Sequence, residues 1–182
     1  MADQIPRPMD VSPHIRPAAE ADEPVLVQTF ADSHCAGFDQ LGLEPAALAG
    51  LVGMQYRARR VQYRSSYPEA AEYLICGPDG VPVGSCWLDD RPDRLRVLDI
   101  AVLREHRRRG IARAVLRERA AAAGKPVRLS VWHENHPARE LYRGLGFTPS
   151  PAGPAADGDL GNGYLELELL PDRAPRPRAG AR

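Results

Sequence analysis

The chain has 182 residues, 43% of them hydrophobic, which is enough for one domain with a substantial core and short for two. Its 24 basic and 24 acidic residues cancel, so bulk charge gives no reason to expect nucleic acid or an anionic membrane as the main partner. The three cysteines, Cys35, Cys76 and Cys86, are odd in number and lack Cys-x-x-Cys spacing, so neither a disulfide framework nor a zinc site is suggested, and no metal is expected. No stretch of Met1 to Pro13 has a signal-peptide core and no apolar run approaches a membrane span. A soluble, cytoplasmic protein is the expectation.

Residues 1–13 and 171–182 are rich in Pro, Arg and Ala without periodicity and read as disordered tails around a folded unit over 14–170. His14 to Pro17 reads as a short strand and Ala21 to Asp32 as a helix whose Val25 and Phe30 flank a buried face. A second helix starts at Pro45, a good first helical residue, and runs through Leu48, Leu51, Val52 and Tyr56 to about Arg64. Glu72 to Cys76 and Val81 to Leu88 are strands joined by the turn Gly77-Pro78-Asp79-Gly80. The longest strand is Arg94 to Leu103; its apolar positions change parity at Leu98, which implies burial on both faces or a bulge.

A helix over Arg109 to Ala123 follows, with Ile111, Val115 and Ala122 on one side, and it ends at Gly124 before Pro126. Val127, Leu129 and Val131 alternate as a strand, most simply parallel to its predecessor across the helical crossover. A short helix from Pro137 to Arg143, a strand beginning at Gly146-Phe147, a loop from Ser150 to Gly163 and a last strand from Tyr164 to Leu170 complete the order β-α-α-β-β-β-α-β-α-β-β.

The junction Arg107-Arg108-Arg109-Gly110-Ile111-Ala112 is where strand gives way to helix. Unpaired N–H groups and the dipole at a helix start attract anionic oxygens, and Gly110 lets a ligand reach the backbone. This is a phosphate cradle by construction. It is not a P-loop, whose lysine is missing here, and it lacks the three glycines of a dinucleotide fingerprint.

The spacing [Arg/Gln]-x-x-Gly-x-[Gly/Ala] from Arg107 to Ala112 resembles the pyrophosphate-binding signature of the GNAT superfamily, the acyl-CoA-dependent N-acetyltransferases. A second GNAT motif is matched by Asn135, Ala138, Tyr142 and Gly146-Phe147. The two lie in the family order, separated by one helix and one strand. The resemblance implies an α/β (α+β) fold with a mixed, mostly antiparallel central sheet flanked by helices. It also implies transfer of acetyl from acetyl-CoA, as co-substrate, to the primary amine of a small molecule or peptide by direct attack. The alternative is an acyl-CoA-binding regulatory domain without turnover.

Carried over by position, Ile100-Ala101-Val102 is the strand end that would bond to the pantetheine arm. The motif arginines Arg107, Arg108 and Arg109 and the amides of Arg108, Arg109, Gly110, Ile111, Ala112 and Arg113 would hold the pyrophosphate. Asn135 would touch the pantetheine or brace its loop, an N–H near Val102 would be the oxyanion donor, and Tyr142 would protonate the leaving sulfur. Some relatives place a glutamate five residues before the motif Asn; that position is Ser130. Asp99, Glu72, His133 and Glu134 therefore remain open as the general base, with Glu72 read as a solvated strand end. The arginines 57, 59, 60 and 64, interleaved with Tyr56 and Tyr63, read as a solvated helix face; facing the cleft, they would favour a carboxylate-bearing acceptor. Neither nucleic acid nor membrane is expected as a partner, and sheet edges in the family often pair, so a homodimer is open.

Overall fold

A computed structural model describes residues 13–151 and 163–171. The two expected tails fall outside that span except for Pro13 and Pro171, as does most of the expected loop from Ser150 to Gly163. The remaining elements form in the expected order: β1 (His14–Pro17), α1 (Glu23–His34), α2 (Pro45–Ser66), β2 (Ala71–Cys76), β3 (Pro82–Asp90), β4 (Leu95–Val102), α3 (Ile111–Ala123), β5 (Val127–Trp132), α4 (His136–Arg143), β6 (Thr148–Pro149) and β7 (Tyr164–Leu169). They build one sheet of order β1-β2-β3-β4-β5-β7-β6, antiparallel except where β4 meets β5. No described helix is long and apolar enough to cross a membrane.

Four local differences from the sequence reading have plain causes. The first residues of the expected first helix form a separate 3-10 turn, Glu20–Asp22, before α1. α3 starts at Ile111 and not at Arg109, because Arg108 (φ 62°) and Gly110 (φ 80°) are left-handed and a right-handed helix cannot begin through them. Ala122 is exposed; Ala120 and Ala123 pack with Ile111, Val115 and Leu116 instead. The strand after α4 begins only at Thr148, since Gly146 (φ 94°) turns the chain and Phe147 enters the core against Tyr142.

One sheet face is the main core, where α3 and α4 cover Leu95, Val97, Val127, Leu129 and Leu167. The other face carries α1 and α2, with Leu26, Tyr56, Leu74 and Cys76 between them and the sheet. The parity change in β4 is a bulge. Trp87 pairs with Asp99 and Leu88 with Val97, which leaves Leu98 without a partner. Because of that extra residue, Ile100 and Val102 stay against the main core while Asp99 and Ala101 turn toward α1 and α2.

β4 and β5 pair only at Leu95↔Val127, Arg96↔Arg128 and Val97↔Leu129. Beyond Val97 the bulged strand bends away, while β5 stays registered with β7 as far as Trp132↔Tyr164. A fork opens in the middle of the sheet. Its closed end is pinned by buried Arg96, whose two terminal nitrogens donate to the Glu166 carboxylate at 2.6 and 3.2 Å and to Ser130 Oγ at 3.0 Å. That bidentate geometry fixes β4, β5 and β7 to one another at the point where the strands part.

Gly84 of β3 sets how closely β3 approaches the bulged strand, since a Cβ there would lie 2.3 Å from the Ala101 carbonyl oxygen and 3.1 Å from Val102 Cα. Both neighbours are backbone and cannot swing aside. Gly84→Ala is expected to cost ~1–3 kcal/mol in chemical denaturation. Wild-type stability in that variant would contradict the close approach.

Candidate functional site

The turn between β4 and α3 carries a run of six amides, from Arg108 to Arg113. Inside α3 the first backbone bond is Ala114 N–H to Gly110 O, so Ile111, Ala112 and Arg113 have no intrahelical acceptor, and none of 108–110 donates to a described backbone carbonyl. The left-handed residues Arg108 and Gly110 alternate with extended or helical ones, the backbone form that makes an anion-binding concavity. Nothing lies within 4 Å of the Cβ position of Gly110, so the hollow in front of it is open. These observations fit a diphosphate.

The arginines of the turn do different work. Arg107 donates to Val102 O (2.9 Å), Asp32 O (2.7 Å) and Ser33 Oγ (3.1 Å), which ties the turn to α1 and leaves its guanidinium largely occupied. Arg109 donates to Glu105 O at 3.0 Å and Arg113 to Gly144 O at 2.9 Å. Arg108 alone of the motif arginines engages no described hydrogen-bond acceptor. The Arg104 N–H donates to Asp32 Oδ2 at 2.7 Å, a second clasp on α1.

The fork begins immediately before this turn. Leu103 donates toward β3, to Val83 O at 2.9 Å, so by strand alternation the Val102 amide points to the opposite edge, into the fork. Tyr142 of α4 is only 8% exposed, among Ala138, Leu141 and Phe147. Its hydroxyl has no described hydrogen-bond partner, yet it is not sealed from solvent. Burial, together with the charge of Asp99, pushes the phenol up to about 12. It stays protonated across the physiological range.

On the α1/α2 face beside the fork lies a small, partly open hollow. Its floor is a row across three strands, Glu72, Trp87 and Asp99, placed side by side by the register. Its roof is Leu26 and Phe30 from α1 and Tyr56, Arg59 and Arg60 from α2. Asp99 Oδ2 lies 3.0 Å from His34 Nε2 and 3.9 Å from an Arg59 nitrogen. Burial acts to raise the Asp99 carboxyl, but the His34 hydrogen bond and the Arg59 charge outweigh it and hold it below its ordinary value. Glu72 accepts from Tyr56 Oη at 3.0 and 3.2 Å and sits 3.3 Å from Arg60 Nε, yet burial prevails there and its carboxyl is raised. Two carboxylates in one hollow are thus pushed in opposite directions.

The profile of the Acetyltransferase (GNAT) family matches residues 46–147, more than half of the chain. The chain belongs to this family. Among solved structures, it resembles the histone acetyltransferase HPA2 and related acetyltransferase of Corynebacterium glutamicum, at TM-score 0.61 and 20% identity over 90% of this chain and 98% of that one. The PaiA N-acetyltransferase of Thermoplasma acidophilum, solved with coenzyme A, gives TM-score 0.61 at 15% identity over 87% and 98%. The ribosomal-protein-S18-alanine N-acetyltransferase of Escherichia coli gives 0.59 at 17% over 90% and 97%. At these identities the likeness establishes the fold. No curated protein sequence matches the chain.

Within this GNAT fold, Ile100, Ala101 and Val102 lie on the fork edge and Gly110 to Arg113 at the helix start that follows it. Asn135 is the N-cap of α4, its side-chain oxygen accepting the Ala138 N–H at 3.2 Å, so it braces the loop. Of the four candidate bases, Asp99 and Glu72 reach the hollow. His133 and Glu134 are exposed beyond the end of β5. Glu72 is buried, which corrects its reading as a solvated strand end. At Ser130 the hydroxyl donates to Glu166 at 2.5 Å, and Arg96 claims the same carboxylate. A glutamate therefore occupies the neighbourhood of Ser130 from β7, committed to an ion pair.

The arginine helix face divides. Arg57 pairs outward with Glu23 and Arg64 is exposed, whereas Arg59 and Arg60 roof the hollow. Trp87, Phe30 and His34 were not legible as site residues from sequence, because only the β2-β3-β4 register and the packing of α1 bring them to Glu72 and Asp99.

The opposed shifts give opposite pH signatures of stability. Asp99, lowered in the fold, contributes stability that is present above its unfolded value near ~3.9 and lost as pH falls through the folded value. Glu72, raised in the fold, favours folding fully below its unfolded value near ~4.3 and loses that contribution as pH rises through the folded value. In urea denaturation, Asp99→Asn should destabilise at about pH 7 and converge on wild type as the pH drops below ~4. Glu72→Gln should match or exceed wild type at about pH 7. The reverse ranking would contradict the assigned electrostatics.

Proposed function

We propose that the protein transfers the acetyl group of acetyl-CoA to a primary amine by direct nucleophilic attack. The observation that carries this is the coincidence of the open β4/β5 fork with the amide run at the start of α3, two features serving one extended ligand with an anionic end. The amides of Arg108 to Arg113 hold the pyrophosphate, with Arg108 adding charge. Arg107 acts on the site by bracing the turn. The edge Ile100-Ala101-Val102 takes the pantetheine arm as an added strand, and Asn135 keeps the facing loop in place.

Negative charge grows on the thioester oxygen as the amine attacks, and the Val102 N–H pointing into the fork is the donor that meets it. The departing sulfur takes a proton from Tyr142, whose raised pKa keeps that proton available. Asp99, held ionised, attracts and orients the incoming ammonium. Glu72 has the higher proton affinity of the two carboxyls and receives the amine's proton, directly or through a bridging water. A cysteine intermediate is not used: Cys86 is 1% exposed on the core side of β3, and burial, with the Asp99 charge, pushes its thiol up to about 12.

Steady-state thiol release tests these roles. Tyr142→Phe should lower kcat by ~10²–10⁴ while leaving the affinity for coenzyme A unchanged. Cys86→Ala should retain turnover. Full activity in the tyrosine variant would remove the acid role, and loss of activity in a folded cysteine variant would remove direct transfer.

A further inference from the structure

We propose that the acceptor is a small amine that also carries a carboxylate, with Arg59 and Arg60 as the residues that select it. This rests on the acetyl-transfer function proposed above.

Arginine saturation is the first argument. Arg96 meets Glu166 and Ser130 with both terminal nitrogens, and Arg107 meets Val102 O through Nε and Asp32 O and Ser33 Oγ through one terminal nitrogen. Arg60 does neither. Its Nε is sealed from solvent and makes no hydrogen bond, although Glu72 Oε2 is 3.3 Å away, and no described acceptor takes a hydrogen bond from its two terminal nitrogens. Arg59 makes a single hydrogen bond, Nε to Tyr63 Oη at 2.9 Å, and its nearest carboxylate oxygen, on Asp99, is 3.9 Å off. Two adjacent, partly buried guanidinium groups, each with terminal nitrogens that reach solvent and hold no described acceptor, border one hollow. Partly desolvated donors of this kind are costly unless an acceptor meets them.

Rigid presentation is the second. Arg59 lies over the Phe30 and Tyr63 rings at 5.7 and 5.1 Å and Arg60 over Tyr56 at 5.6 Å. These cation–π contacts hold both guanidiniums beside the aromatic roof, and a guanidinium fork matches a carboxylate bidentately. Long exposed arginines paired with surface acids, such as Arg57, have no such constraint.

Charge layout supplies the third. The same hollow holds Asp99 next to the fork edge, where the reacting amine must arrive, so a zwitterion can place its ammonium at Asp99 and its carboxylate at the arginine roof. A polyamine would bring a second ammonium toward two guanidiniums, with only Glu72, already beside Arg60, to offset the repulsion.

The test uses the twenty amino acids and short β- and γ-amino acids, each beside its carboxamide and its decarboxylated amine, with spermidine as a polyamine. Binding to protein saturated with coenzyme A is measured by calorimetry, and thiol release is measured separately with acetyl-CoA. At least one acid should bind and react with a Kd and KM about tenfold or more below its carboxamide. Arg60→Met and Arg59→Met should raise the KM for that acid by a similar factor, Arg60→Lys should recover part of the loss, and affinity for coenzyme A should certify the fold of each variant.

Amides or polyamines that react as well as the acids would overturn the carboxylate proposal while acetyl transfer stands. Selective, arginine-dependent binding without thiol release would keep the carboxylate site and remove the transfer reaction. Failure of every acid to bind would overturn the proposal.

Discussion

In the middle of a sheet, Asp99 to Val102 of β4 pair with a strand neighbour on one side only. Interior backbone donors and acceptors left without partners cost about 1–3 kcal/mol each, so a fold tolerates such an edge only where water or a ligand can reach it. The bulge at Leu98 creates the condition and the buried Arg96–Glu166–Ser130 pin confines it. Without the bulge, Asp99 and Ala101 would share a face with the main core and the α1/α2 hollow would lose its acidic wall. Without the pin, the strands could part further and β5 would lose its fixed distance from the turn.

The clasp between α1 and the phosphate turn gives this geometry a second support. Asp32, at the C-terminal end of α1, accepts the Arg104 amide with its side chain and the Arg107 guanidinium with its carbonyl, while Arg107 also caps the last β4 carbonyl. The Tyr63 hydroxyl faces the bulge carbonyl of Leu98 at 3.4 Å, and Arg59 holds that tyrosine from the neighbouring turn of α2. The same helices that roof the acceptor hollow thus hold the strand end and the turn. Acceptor and acyl donor meet on one rigid frame.

How much of this could be read from residues alone differs by feature. The cradle was legible because its chemistry is local: a strand, a glycine and a helix start are contiguous in the chain. The parity change at Leu98 announced a bulge or two-sided burial, and choosing between them needed the β3 register. The hollow was not legible, since Glu72, Trp87 and Asp99 are brought into one row only by pairing across three strands. Arg59 and Arg60 looked like surface residues because helical periodicity cannot say which side of an arginine-rich helix is covered. Ala122 shows the same limit on a smaller scale: α3 buries Ala120 and Ala123 in its place.

The fork and the amide run stand or fall together, and calorimetric titration of acetyl-CoA into wild type and Gly110→Glu tests both at once. A glutamate there fills the open hollow in front of the cradle and adds negative charge where a diphosphate would sit. Saturable one-to-one binding by wild type, weakened by about tenfold or more in the variant, is the predicted result. Absence of binding to folded wild type, or equal affinity in the two proteins, would contradict the account.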